Sequence, residues 1–241
     1  MKKLLSFAVT ALLVGTPAHA QVRAQPVYAQ DKTSEIDTIF SWATPATPGC
    51  AVAVSQHGER VVNRAYGLAD LERAVPISPD TIFDVGSVVK QFVAAAVLLL
   101  VEEGQVSLSE DVRTYIPELP DTGHTVTVDH LLTHTGGIRD WTGILPLAAT
   151  PTDALTLTLR QRGLNFAPGE EWSYSNSGYV LLKEIVARTS GTSFGEFARS
   201  RLFEPLGMTS TTYADDVRDV ENHALAYEQK GGRWEVDMLL G

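Results

Sequence analysis

Ser87 and Lys90 stand three residues apart at the head of a long apolar run, Val88 to Val101, which closes on Glu102-Glu103-Gly104. On a helix, side chains at that spacing share a face with Cβ atoms about 5–6 Å apart, so the lysine amine reaches the serine hydroxyl. The chemistry open to such a pair is nucleophilic attack by a serine with a built-in base. A serine at the helix N-terminus also meets unpaired backbone N–H groups and the positive end of the macrodipole, which favour an attacking alkoxide or a tetrahedral adduct. A helix that is apolar all round is expected in a core, where Lys90 is desolvated and the neutral amine of a general base is favoured. The competing reading of Lys90 is a stem that snorkels to water or an ammonium that pairs with an acid.

A second cluster of chemistry-bearing residues is Glu171-Trp172-Ser173-Tyr174-Ser175-Asn176-Ser177-Gly178-Tyr179. Taken in order, S-x-x-K at 87–90, L-L-T-H-T-G-G at 131–137, P-G-E at 168–170 and Y-S-N at 174–176 resemble the serine β-lactamase and penicillin-binding protein superfamily. The similar branch is that of class C β-lactamases, DD-peptidases and related esterases, in which Y-x-N stands in for the S-D-N element of class A enzymes. The resemblance runs from about Gly49 to about Ala226 and takes in Phe203-Glu204-Pro205-Leu206-Gly207-Met208. It implies an α+β fold of the β-lactamase/DD-peptidase kind, an antiparallel sheet with a helical lobe. It also implies a cofactor-independent serine hydrolase acting on β-lactams, D-alanyl peptides, D-amino-acid amides or small esters. Ser87 is then the nucleophile that forms an acyl-enzyme, Lys90 and Tyr174 share the proton transfers, and Asn176 binds the substrate amide or orients Lys90.

The chain departs from this pattern near its end. Members of the superfamily carry a third motif, K-T-G or H-x-G, on a strand beside the nucleophile, and none follows Tyr174 here. That strand supplies one of two oxyanion-hole donors, and loss of one donor typically costs about 10²–10³ in kcat. Residues Gly231 to Leu240 read like the interior of a protein. The expectation is therefore a chain from which the C-terminal strands are missing. The alternative to an enzyme is a non-catalytic ligand-binding or scaffolding member, or an inactive fragment.

The surrounding sequence bounds the setting. Met1-Lys2-Lys3, the apolar run Leu4 to Val14 and Ala18-His19-Ala20 have the layout of a signal peptide cleaved after Ala20, which places the protein in the periplasm or outside the cell. The apolar run is too short for a permanent membrane span, and no cysteine follows the cleavage site to carry a lipid anchor. A net charge of −10 argues against nucleic acid and against anionic membrane surfaces and says little about substrate; a small-molecule or peptide substrate is the partner the resemblance implies. The single cysteine, Cys50, has no internal disulfide partner and lies in Gly49 to Val54, which reads as a buried strand with a packed thiol. The domain layout expected is a signal peptide at 1–20, an N-terminal segment with a helix at 21–48, and an incomplete hydrolase domain at 49–241.

The elements that must position the site follow from periodicity and punctuation. A short helix fits Ser34 to Trp42, and strands fit Ala51–Gln56 and Arg60–Tyr66, joined as a hairpin at His57-Gly58. Residues Asp70 to Asp80 read as a loop leading to the nucleophile helix. After Gly104 comes a connection with apolar anchors Leu108, Val112, Tyr115 and Ile116. Thr127 caps a short helix over Asp129–Thr133 that Gly136-Gly137 stops. Further helices fit Tyr179–Arg188, ending near Gly191, and Phe194–Leu202. His130 and His134, four apart, have metal-ligand spacing, but Leu131 occupies the glutamate position of H-E-x-x-H and no third ligand is evident nearby. Glu170 and Glu171 follow a Pro-Gly turn and shape the approach to Tyr174, while Trp141 and Trp172 fit either an aromatic substrate wall or buried packing.

Overall fold

The structure is a computed structural model that describes residues 33–148, 150–214 and 219–237. The expected signal peptide lies outside the described residues. The chain divides into two compact units, Met1–Trp42 with Ala53–Asn63, and Ala43–Val52 with Arg64–Gly241.

The first unit contains helix α1, Thr33–Ile39, and the tip of a hairpin formed by β1, Cys50–Gln56, and β2, Glu59–Tyr66. His57 and Gly58 both have positive φ, 53° and 80°, the mark of a primed two-residue turn whose twist matches the strands. The base of the hairpin belongs to the second unit. The expectation of a buried first strand is corrected: of β1 only Cys50 and Val52 are even half-buried, and Val54 is 42% exposed. A two-stranded ribbon gives each strand one hydrogen-bonded neighbour, and nothing in the pairing itself covers its faces. Cys50 is a free thiol whose pKa is raised by its partial burial.

The second unit contains a short antiparallel pair, β3 at Leu68–Asp70 and β4 at Val75–Pro76, and β4 falls inside the stretch from Asp70 to Asp80 expected to be a loop. Asp70 holds its turn by accepting from Arg73 N at 2.9 Å and from Arg73 Nε at 2.6 Å. A 3₁₀ turn, Gly86–Val89, leads into α2, Lys90–Glu102. Among the described residues five further α-helices follow: α3, Val128–Leu132; α4, Trp141–Ile144; α5, Ala154–Leu159; α6, Asn176–Ser190; and α7, Phe194–Ala198 with a π turn over Arg199–Phe203. The described chain ends in an antiparallel hairpin of β5, Tyr227–Lys230, and β6, Arg233–Val236, turned at Gly231-Gly232.

Packing of α2 on α6 and α7 builds the core. Val93, Ala96, Val97 and Leu100 form an i, i+3, i+4, i+7 stripe on α2 that joins Leu181, Leu182, Ile185 and Val186 of α6 and Phe194 and Phe197 of α7 in one buried cluster. The connection after Gly104 is anchored as its apolar residues predict, with Val112 and Ile116 fully buried. The expectation that α2 is buried on every side is corrected. Leu98 is 48% exposed and Val88, in the turn before the helix, 54%, because α6 and α7 cover one face of the helix only.

Candidate active site

Each candidate side chain is held at an element end. Gly86 adopts φ 50°, a left-handed conformation that suits glycine, and its N–H donates to Asp84 Oδ1 at 2.7 Å, an Asx turn that lifts the next residue out of the core. Ser87 follows, exposed, within the 3₁₀ turn. Positions i and i+3 eclipse in such a turn, so Lys90 lies over Ser87, and Nζ donates to Oγ at 3.1 Å.

Tyr174 and Asn176 come from the start of α6. Ser175 is its N-cap, with Oγ accepting from Gly178 N at 3.3 Å and donating to Ile138 O at 3.1 Å. Tyr174, just outside the helix, donates its hydroxyl to Ser87 Oγ at 2.6 Å. Asn176, the first helical residue, accepts from Lys90 Nζ through Oδ1 at 2.8 Å. All four residues singled out from the sequence, Ser87, Lys90, Tyr174 and Asn176, therefore meet around one hydroxyl and one ammonium. The Lys90 ammonium also lies over the rings of Tyr174 and Tyr179, 4.8 and 5.5 Å from their centroids. Burial pushes the Tyr174 phenol up, but Lys90 and the Ser87 hydroxyl more than offset it and bring the pKa below the ordinary tyrosine value.

His134 and His130 serve the scaffold. His134 has φ 60°, so α3 is turned off at His134 and not at the two glycines that follow. Its Nδ1 accepts from Ser175 N at 3.1 Å, and its ring packs 4.7 Å from Tyr174 and 5.1 Å from Tyr179. An acceptor Nδ1 requires a neutral imidazole, in keeping with a pKa lowered by burial and then by the charge of Lys90. His130 Nδ1 accepts from Thr127 N at 3.2 Å in a reciprocal capping box. Both rings thus spend a nitrogen on backbone N–H groups, and no group of three His, Cys, Asp or Glu positioned for a metal occurs among the described residues. Gly169, at φ 85°, and the bond from Glu170 N to Ala167 O at 3.1 Å make the turn before Tyr174, with Glu170 and Glu171 exposed. Trp172 stands 65% exposed beside Tyr174, its ring edge-on to His134, whereas Trp141 is half-buried.

Sequence reasoning assigned no role to Asp140. Its Oδ2 accepts from Asn176 N at 2.5 Å and from Asn176 Nδ2 at 3.0 Å, and its Oδ1 accepts from Thr142 N at 2.9 Å and Thr142 Oγ1 at 2.6 Å. The only hint in the sequence is an Asp with a Thr two residues on, the pattern of a short-helix cap. Burial pushes the Asp140 carboxyl up, but the donors from Thr142 and Asn176 hold it below its ordinary value. Ser177, fully buried, accepts from Trp141 N at 2.9 Å and donates to Arg139 O at 2.8 Å, fastening the same loop to α6.

An amine and a phenol both hydrogen-bonded to one serine oxygen on a buried scaffold agree with what comparison of the chain with known proteins finds. The Beta-lactamase family model matches residues 40–240. The chain is 32% identical over 191 residues to penicillin-binding protein 4* of Bacillus subtilis strain 168, covering 76% of this chain and 42% of that protein. It is 31% identical over 188 residues to a D-aminopeptidase of Gluconobacter oxydans strain 621H, covering 75% of this chain and 35% of the relative. Among solved structures, a class C beta-lactamase in complex with cefoxitin superposes with a TM-score of 0.70 at 28% identity, over 88% of this chain and 58% of that one. The chain belongs to the beta-lactamase family, within the serine β-lactamase and penicillin-binding protein superfamily, whose members are serine hydrolases. Its α+β fold is that of the family. It spans less than half the length of the two curated relatives, 42% and 35%.

Proposed function

We propose that this protein is a cofactor-independent serine hydrolase that cleaves an amide or ester bond through an acyl-enzyme at Ser87. The observation that carries the reading is the contact of Ser87 Oγ with both Tyr174 OH, at 2.6 Å, and Lys90 Nζ, at 3.1 Å. Tyr174, ionised with the help of the Lys90 charge, takes the Ser87 proton as Oγ attacks the carbonyl carbon. The carbonyl π bond breaks to an oxyanion, and the Ser87–carbon bond forms. When the oxyanion collapses, the bond to the leaving nitrogen or oxygen breaks and the proton passes to that atom. Water then attacks the acyl-enzyme by the same steps in reverse order of groups, releasing the acid and Ser87.

The substrate class that fits is a β-lactam, a D-alanyl peptide, a D-amino-acid amide or a small ester, in line with relatives described as a penicillin-binding protein and a D-aminopeptidase. We place the mature protein in the periplasm or outside the cell, with its leader removed after Ala20. The test is labelling with a serine-reactive fluorophosphonate. Stoichiometric labelling that disappears in a Ser87→Ala variant with an unchanged melt supports the reading; labelling that survives the substitution overturns it.

A further inference from the structure

We infer that Asp140 is a positioning residue for the reaction, acting through Asn176 to hold the Lys90 amine against Ser87. The inference rests on the functional reading above and extends it to a residue that touches neither Ser87 nor Lys90 by hydrogen bond among the described contacts.

An ammonium has donors and no acceptor, and a carboxylate has acceptors and no donor. Asn176 stands between one of each. Lys90 Nζ lies 2.8 Å from Oδ1, and Asp140 Oδ2 lies 3.0 Å from Nδ2. Each partner favours one orientation of the amide, and only together do they lock it with the carbonyl oxygen toward the lysine. The same Oδ2 accepts from the Asn176 backbone N–H at 2.5 Å, at the start of a 15-residue helix, where negative charge is favoured. Asp140 therefore grips both the backbone and the side chain of the residue that receives Lys90.

The other carboxylate oxygen is equally committed. Oδ1 takes Thr142 N and Thr142 Oγ1, at 2.9 and 2.6 Å. With an N–H on each oxygen, a second N–H on Oδ2 and a hydroxyl on Oδ1, the contacts suit the ionised carboxylate, whose pKa, pushed up by burial, those donors bring below its ordinary value. In Asp140→Ala both acceptor oxygens are gone, and the backbone and side-chain N–H groups of Asn176 lose their shared partner. The loop itself is held independently, by Ser175 Oγ on Ile138 O at 3.1 Å and Ser177 Oγ on Arg139 O at 2.8 Å, so loss of the carboxylate leaves the 138–141 backbone tied to α6. What is lost is the lock on the amide.

A double-mutant cycle on the full chain, with p-nitrophenyl acetate as the acyl donor, separates positioning from general damage. Asp140→Ala, which removes both acceptor oxygens, is expected to lower kcat by about ten- to hundredfold, the size of a charge-assisted hydrogen bond, with KM changed by less than about threefold. In an Asn176→Ala background the same substitution is expected to cost less than about twofold, because the group through which it acts is gone. Asp140→Glu, which keeps two acceptor oxygens, recovers part of the rate, and Asp140→Val, which also has no acceptor, takes the place of Asp140→Ala in the cycle if the latter does not fold. Additive losses, or an effect confined to KM, overturn the inference.

A second readout does not depend on turnover. In a ¹⁵N-labelled chain the Asn176 side-chain amide resonance is expected to move when Asp140 is substituted. An unmoved resonance overturns the inference. If the parent chain shows no acylation while that resonance moves, the functional reading fails and the lock on Asn176 stands.

Discussion

At the scale of residues, the site surrounds one serine oxygen with an amine and a phenol, Lys90 Nζ at 3.1 Å and Tyr174 OH at 2.6 Å. The phenol of Tyr174 is brought below its ordinary pKa by Lys90 and Ser87 against the opposing effect of burial. The sign of the pH dependence follows. Acylation by a phenolate base rises as pH climbs through the pKa of Tyr174 in the folded protein, with a midpoint below the ordinary value near 10. Replacing Lys90 with Met removes the positive charge that favours the phenolate, so the midpoint moves up, and the rate above it falls by about 10²–10⁴. A pH profile of ester acylation in the two proteins checks this, and an unmoved midpoint contradicts it. Ser87, Lys90, Tyr174 and Asn176 were all legible in the sequence, because two short motifs fix their types and local spacing. Asp140 was not, since its partner Asn176 lies 36 residues away and a capping Asp is a common loop residue.

At the scale of elements, the hairpin turn at His57-Gly58 and the end of α6 near Gly191 were legible, because positive φ selects for particular residues there: Gly58 has φ 80° and Gly191 φ 72°. Helix α6 begins at Asn176, before the expected Tyr179, because Ser175 caps it and brings the Y-S-N motif onto the helix start. Helices α4 and α5, four and six residues long, are too short to show a period and are held by the caps Asp140 and Asp153. The packing of α2 on α6 makes a prediction of its own. Leu182 is fully buried, so Leu182→Ala is expected to cost about 2–5 kcal/mol in urea unfolding. Leu98→Ala, on the uncovered face of the nucleophile helix at 48% exposure, is expected to fall within about 0.5 kcal/mol of the parent. Equal losses at the two positions contradict the assignment of the core.

At the scale of the whole molecule, hydropathy alone did not reveal which side of an all-apolar helix is covered. Apart from Lys90 and Gln91 the run from Val88 to Val101 is apolar throughout, yet the folded unit buries one stripe of it and leaves Val88 and Leu98 open. Similarly, β1 has the composition of a buried strand and lies in a two-stranded ribbon with Val54 exposed. Coverage is a property of the partners an element meets, and periodicity reports it only when polar residues mark the other face. The whole reactive cluster, from Ser87 to Asn176, belongs to one compact unit with one contiguous core. The chemistry is therefore expected to survive wherever that core is folded, and one residue should carry the acyl group. The most direct measurement is intact-mass and peptide-mapping mass spectrometry of the protein after reaction with a penicillin. A single adduct of the penicillin's mass on the peptide containing Ser87, absent in Ser87→Ala, is the result the account predicts. An adduct on another residue, or no adduct on the folded protein with either a penicillin or an activated ester, would contradict it.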